Sequence, residues 1–152
     1  MKRFLAALLC LLICLTALFS CGEKEYNIDK AALAAALVEA DCFADTLIEV
    51  PSQMLKYSYQ VSEDVSAVLY RGTNTTAEEI TVFEAPDAEA AKTVLETANA
   101  YLTTLAATYD QYNAKEAARI RGGIVIRRGR YVIVCICNNN AAAEKVINEY
   151  CK

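Results

Sequence analysis

The 152-residue chain contains no histidine. That absence removes the commonest general base, a principal zinc ligand and the middle member of every Ser-His or Cys-His catalytic pair. Other chemistry-bearing patterns are missing as well: there is no glycine-rich phosphate loop, no G-x-S-x-G elbow, no H-E-x-x-H and no calcium loop of alternating acids. Cys135-Ile136-Cys137 has no second closely spaced cysteine pair and no histidine beside it, so it lacks the ligand set of a zinc site. Neither a metal nor a cofactor is expected. No Ser- or Gly-rich spacer lifts a domain away from the N-terminal segment, and no acid interrupts the stretch from Ala117 to Ala143.

What the chain does have begins at its first residues. Lys2 and Arg3 are followed by an apolar or neutral run from Phe4 to Phe19, then Ser20 and Cys21. A positive start, a short apolar core and a small residue before the cut are the parts of a secretory signal. With cysteine next, they read as a bacterial lipoprotein signal whose lipidated first residue is Cys21. The apolar run stops at Gly22-Glu23-Lys24-Glu25, short of the roughly 20 residues that a spanning helix requires. The expected organisation is a signal peptide over residues 1–20, lipid attachment and a short tether over 21–28, and one domain over 29–152. A tether of about seven residues reaches roughly 20 to 25 Å, which keeps the domain against the membrane.

Lys2 and Arg3 fall in the leader, leaving 13 Lys and Arg against 19 Asp and Glu in 132 residues, a net charge of −6. That length suits one domain with a proper core, and an acidic surface disfavours nucleic acid as a partner. Beyond Cys21 the domain carries Cys42, Cys135, Cys137 and Cys151. In an exported protein these permit two disulfides in three pairings. Cys135 and Cys137 share one strand face with Cα atoms about 6.6 Å apart, close to the upper limit for a bridge. Buried free thiols are the leading expectation, with a long-range disulfide behind it and a metal site last.

Asp29 is placed to cap an Ala-rich helix running to about Cys42, with Leu33, Ala36, Leu37 and Ala40 on one face. A short strand over Thr46–Val50 ends at Pro51, and Ser52 can start a short helical piece carrying Met54, Leu55 and Tyr57. Ala67–Tyr70 and Glu79–Glu84 read as paired strands joined through Gly72-Thr73-Asn74. Pro86-Asp87 opens a long helix of about 26 residues, whose inward face repeats from Ala91 and Val94 to Tyr109 and Tyr112 at three- and four-residue steps. Gly122-Gly123, Ile124–Ile126, the Arg128-Gly129 turn and Tyr131–Cys137 form a β-hairpin. Its second strand is apolar on both faces, as a covered strand should be. Asn138-Asn139-Asn140 then caps a last helix, Ala141–Tyr150, with Val146, Ile147 and Tyr150 inward. These elements predict an α+β domain: a mainly antiparallel sheet of about five strands, with a long helix and two shorter helices packed on it.

Two features bear on chemistry. The acid pairs Glu63-Asp64 and Glu78-Glu79 supply carboxylates, but a glycosidase needs two facing each other about 5 to 10 Å apart across a cleft. Adjacent acids near turns read instead as solvated surface. The acid-free stretch holds Arg119, Arg121, Arg127, Arg128 and Arg130. Arg127, Arg128 and Arg130 near the hairpin tip are the candidates for anionic lipid headgroups or an anionic ligand.

The runs Glu79-Ile80-Thr81-Val82-Phe83-Glu84-Ala85-Pro86-Asp87, Tyr109-Asp110-Gln111-Tyr112 and Gly129-Arg130-Tyr131-Val132, in that order, carry a resemblance. The chain resembles the bacterial lipoprotein family known as domain of unknown function 4358, over about Ile28 to Tyr150. The resemblance implies a surface lipoprotein of Gram-positive type; the family has no assigned activity, so it lends no functional residues. The resulting expectation is a non-catalytic binding or interaction module at the cell membrane. It would be anchored through a diacylglycerol-type lipid on Cys21 and would meet an envelope protein or an anionic ligand. The alternatives are a small envelope hydrolase or thiol-redox protein using Cys135, Cys137 or an acid pair, and a structural subunit of a larger envelope complex.

Overall fold

A computed structural model describes residues 24–73 and 76–152. The signal sequence, Cys21 and the first tether residues lie outside the described residues, as does Asn74 of the turn between the paired strands. In chain order the elements are α1 (Lys30–Glu39), β1 (Leu47–Val50), a 3-10 turn (Ser52–Met54), α2 (Leu55–Tyr59), β2 (Ser66–Gly72), β3 (Glu79–Glu84), α3 (Ala88–Tyr109), α4 (Ala114–Arg121), β4 (Ile124–Arg128), β5 (Tyr131–Ile136) and α5 (Asn140–Tyr150). The five strands form one antiparallel sheet in the order β1-β2-β3-β5-β4. The expected α+β class and strand number are thus found.

The sheet is covered on both faces, which is why β5 is apolar on both sides. On one face α1 and α5 set Leu33, Leu37 and Ile147 against Ile80, Val82, Tyr131 and Ile133. On the other, α2, α3 and α4 set Tyr59, Val94, Ala98, Leu102 and Ile120 against Leu69, Phe83, Val132 and Val134. Each fully buried Leu, Ile or Phe contributes about 1.5 to 3 kcal/mol, so these two clusters hold the layers together. All six residues of β5 are buried, while β3, paired to β2 and β5, occupies the middle of the sheet.

The helix starts follow the expected chemistry. The Asp29 carboxylate accepts from the amides of Ala31 and Ala32 at 3.0 Å, Asp87 accepts from Ala90, and Asn139 accepts from Ala142. Four details differ. Helix α1 stops at Glu39 and buries Leu33, Ala34 and Leu37. The piece after Pro51 turns Tyr59 inward and leaves Tyr57 82% exposed. The last helix buries Ala143 and Ile147, with Tyr150 at the surface. The long helix ends after 22 residues at Tyr109; Asn113 accepts from the Glu116 amide and starts α4. Tyr112 therefore falls in the bend and is exposed, so it does not continue the core face.

At 1.5 Å per residue, α3 is about 33 Å long. Its N-terminus lies beside the β4–β5 turn, where Asp87 and Ala88 share a cleft with Gly129 and Arg130. Its C-terminus lies toward the other end of the sheet, where Leu105 and Tyr109 share a cleft with Gly72 and Glu78.

Candidate functional site

Two polar assemblies break the apolar pattern of the core, and both begin at Glu78-Glu79. Register places Arg71 of β2 opposite Glu79 of β3, and Arg71 Nε donates to Glu79 Oε2 at 2.7 Å. The other carboxylate oxygen accepts from the Tyr59 hydroxyl of α2 and, at 2.8 Å, from Thr81 Oγ1. Arg71 Nη2 donates to Ser58 Oγ at 2.8 Å and to the Tyr101 hydroxyl of α3 at 3.0 Å. The Tyr59 ring stands edge-on to Phe83, with centroids 5.0 Å apart, and lies 4.2 Å from Tyr101. Burial, followed by the Glu79 charge, pushes the Tyr59 and Tyr101 phenols up, with Arg71 opposing the effect at Tyr101. Burial works against the Arg71 cation, but the Glu79 carboxylate overrides it and holds the guanidinium charged.

Glu78 turns to a different set of partners. It accepts from the amides of Ala44 at 2.9 and 3.0 Å and of Asp45 at 2.8 Å. Arg119 Nε lies 3.8 Å from it. Arg119 also pairs with Glu116 of α4, and Glu116 accepts from the Ala77 amide at 2.8 Å. These side chains are at most 6% exposed. Helix α4 and the loop after α1 are therefore clasped to the start of β3 by charge-assisted bonds.

Between the two assemblies opens a cleft of about 200 Å³ lined by Arg71, Thr76, Glu78, Glu79, Tyr101 and Tyr109. Its floor is a set of fixed donors and acceptors. Among the described residues, no buried side-chain nitrogen or oxygen lacks a hydrogen-bond partner. The expectation that Glu78-Glu79 is solvated surface is overturned, because both residues are buried and each carboxylate accepts from fixed donors. Glu63-Asp64 is exposed as read.

The five arginines do not form one patch. Arg119 is interior, while Arg121 pairs at the surface with Asp110 of the bend before α4. Arg127, Arg128 and Arg130 gather at the β4–β5 turn, where Gly129 adopts φ +55°, the left-handed conformation that favours glycine. Arg127 Nη1 donates to the Gly129 carbonyl at 2.8 Å, and Arg128 Nη1 to the Arg127 carbonyl at 3.1 Å. Arg130 pairs with Glu84 at 2.7 Å, beside Lys30, which reaches the same carboxylate at 2.6 Å. The Lys30 hydrogen bond holds Glu84 below the usual carboxylate range, with Arg130 adding to it.

The start of the described chain packs on this turn. A Cβ at Gly129 would lie 3.2 Å from the Tyr26 ring and 3.5 Å from the Lys24 carbonyl. A cleft of about 540 Å³ is lined by residues 24–27, Asp87, Gly129 and Arg130. Sequence reasoning identified the hairpin arginines but not the residues of the tether that sit against them.

All four cysteines of the described residues are free and buried, as the leading expectation held. Among the described residues no group of acids and thiols has the arrangement of a metal site, and no helix is long and apolar enough to cross a membrane.

These features define an α+β domain with one antiparallel sheet between two helical layers and a clasped polar cluster at one end of its central strand. The family model described as Domain of unknown function (DUF4358) matches residues 44–137, and the chain belongs to that family. The match runs from the Ala44 amide that binds Glu78 to Cys137 at the end of β5, so it takes in the whole sheet, both polar assemblies and the hairpin arginines. No curated protein and no solved structure matches the chain.

Proposed function

We propose that this protein is a non-catalytic binding module of the cell envelope, tethered by a diacylglycerol-type lipid on Cys21. Arg127, Arg128 and Arg130 face the anionic membrane surface or an anionic envelope partner there. The observation that carries this reading is the packing of Lys24 and Tyr26 against the Gly129 turn. Two residues separate Lys24 from Cys21, and the three steps between them reach about 11 Å at full extension. A lipid on Cys21 would therefore bring the arginine turn to the headgroups, within roughly one Debye length of their charge. Support for a binding role comes from the polar cleft around Arg71, whose carboxylates and phenols are already committed to fixed partners.

The test is co-sedimentation of residues 22–152 with vesicles of neutral and of anionic lipid, for the wild type and for Arg127→Glu/Arg128→Glu. Binding to anionic vesicles that weakens in the variant and at raised salt is expected. Equal binding by both proteins would remove the arginines from the proposal.

A further inference from the structure

We propose that Cys42 and Cys137 are a thiol–disulfide pair, a redox modification site that covalently clamps the loop after α1 to the junction between β5 and α5. The backbone already joins the two places. The Cys42 carbonyl accepts from the amides of Asn138 at 2.8 Å and Asn139 at 3.3 Å. Standard bond lengths around the first of these bonds hold the Cys42 and Cys137 Cα atoms within about 7.6 Å, an outer limit just above the separation at which two cysteines can be bridged. The two sulfurs interact; in the reduced state Cys42 Sγ also donates to the Leu37 carbonyl at 3.9 Å and Cys137 Sγ to Asn140 Oδ1 at 3.3 Å. Both belong to the buried cluster between α1, α5 and the sheet.

Cys135 also touches Cys137, but it is the wrong partner. Its backbone is pinned in the sheet between Ile80 and Ile124, and two positions along one strand leave the Cα atoms about 6.6 Å apart. Cys137 lies one residue past β5 and Cys42 in the loop after α1, so neither is flanked by strand partners on both sides as Cys135 is. Cys151, at the far end of α5, completes the set of described thiols and is not drawn into the pair.

The thiols are differentiated in the way such a pair needs. A hydrogen bond from the Cys135 thiol draws Cys137 below an ordinary thiol against the opposing effect of burial, and the Asn139 amide and Cys42 thiol add to it. Burial, followed by the Cys137 charge, pushes Cys42 up to about 12. Cys137, the more exposed of the two, is the attacking sulfur and Cys42 the resolving one. The oxidant is an organic disulfide. The Cys137 thiolate attacks one of its sulfurs and releases the other as a thiolate. Cys42 gives up its proton to that thiolate and attacks the Cys137 sulfur, expelling the second half of the oxidant. Two protein thiols are oxidised to one disulfide, and one small disulfide is reduced to two thiols. Access is through the Asn138–Asn140 turn, since Cys137 is 5% exposed and Cys42 2%, so the reaction is slow without local opening of that turn.

The inference rests on the envelope reading only for meeting such an oxidant in the cell, and its test is independent of location. The full chain, purified under reducing conditions, is incubated with oxidised glutathione, and its peptides are mapped by mass with and without reductant. The expected result is the loss of two hydrogens and a cross-linked peptide joining Cys42 to Cys137. The thermal midpoint should rise by about 10 °C, because the bond closes a long loop. Cys42→Ser should instead trap glutathione on Cys137. Mapping needs only the wild-type chain, so a variant that fails to fold leaves it decisive. A cross-link through Cys135 or Cys151, or full recovery of free Cys42 and Cys137, would overturn the pairing. Failure of vesicle binding would leave it untouched.

Discussion

Replacing Arg71 by Met removes a cation from beside a carboxylate that is 3% exposed. Met retains much of the apolar stem, so the loss falls mainly on the charge and its hydrogen bonds. Glu79 keeps the Tyr59 and Thr81 hydroxyls but not its counter-ion. Breaking a buried pair from one side costs about 3 to 5 kcal/mol. The Arg71 side chain is 29% exposed, which places this case near the lower figure, about 3 kcal/mol. With a urea slope of about 2 kcal/mol/M for a domain of this size, the midpoint should fall by about 1.5 M. Glu79→Gln alone leaves an arginine that can turn toward the cleft and water, and should cost about 1 to 2 kcal/mol. The double variant carries no uncompensated charge, and its cost should be smaller than the two singles together by about 2 kcal/mol, the coupling of the pair. Equilibrium urea unfolding of the four proteins measures all three quantities. An Arg71→Met cost under about 1 kcal/mol, or strict additivity of the singles, would refute the view that the pair acts as one charged unit in the core.

Arg119→Leu leaves Glu78 and Glu116 buried together without a cation, so it should cost about 4 kcal/mol in the same assay, more than Arg71→Met. Gly129→Ala combines a positive φ with a methyl group 3.2 Å from the Tyr26 ring. A loss of about 1 to 2 kcal/mol and faster proteolysis ahead of Asn27 are expected. Because Glu84 is held below the ordinary carboxylate range, its bonds to Lys30 and Arg130 contribute stability above that range, which is lost as pH falls through the folded value. The acid limb of a pH titration of stability should therefore be shallower in Glu84→Gln than in the wild type below about pH 4.5. Thiol-specific labelling of the reduced native protein should be slow at all four buried cysteines and fast after denaturation. Rapid native labelling of Cys135 would contradict its burial in the sheet.

The parts of the fold legible in the sequence are those where local chemistry and long-range packing ask for the same thing. Asp29, Asp87 and Asn139 cap their helices, Gly129 makes its turn, and the doubly apolar run of β5 reports a strand covered on both faces. The break between α3 and α4 was hidden because Tyr109 and Tyr112 preserve the helical period across it. Asn113 followed three residues later by Glu116 was the available signal, a capping pattern overshadowed by the longer repeat. The buried acids were hidden for a different reason. Adjacent carboxylates near a turn look solvated until the partners that desolvate them are known. Arg71 stands 8 residues from Glu79 and reaches it across a strand pair, whereas the Arg119 that approaches Glu78 comes from α4, whose start the tyrosine repeat masks. The meeting of Cys42 with Cys137 likewise depends on where the loop after α1 crosses the end of β5, which spacing does not encode.

The central claim is that the arginine-turn end of the domain rests at the membrane. Residues 89 and 108 lie near opposite ends of α3, separated by about 28 Å along its axis. Both positions are exposed, and the native thiols are buried, so a dye can be placed on Glu89→Cys or Thr108→Cys in the lipidated protein. In bilayers whose headgroups carry a fluorescence quencher, the account predicts strong quenching at position 89 and little at 108. Equal quenching at both positions, or stronger quenching at 108, would contradict it.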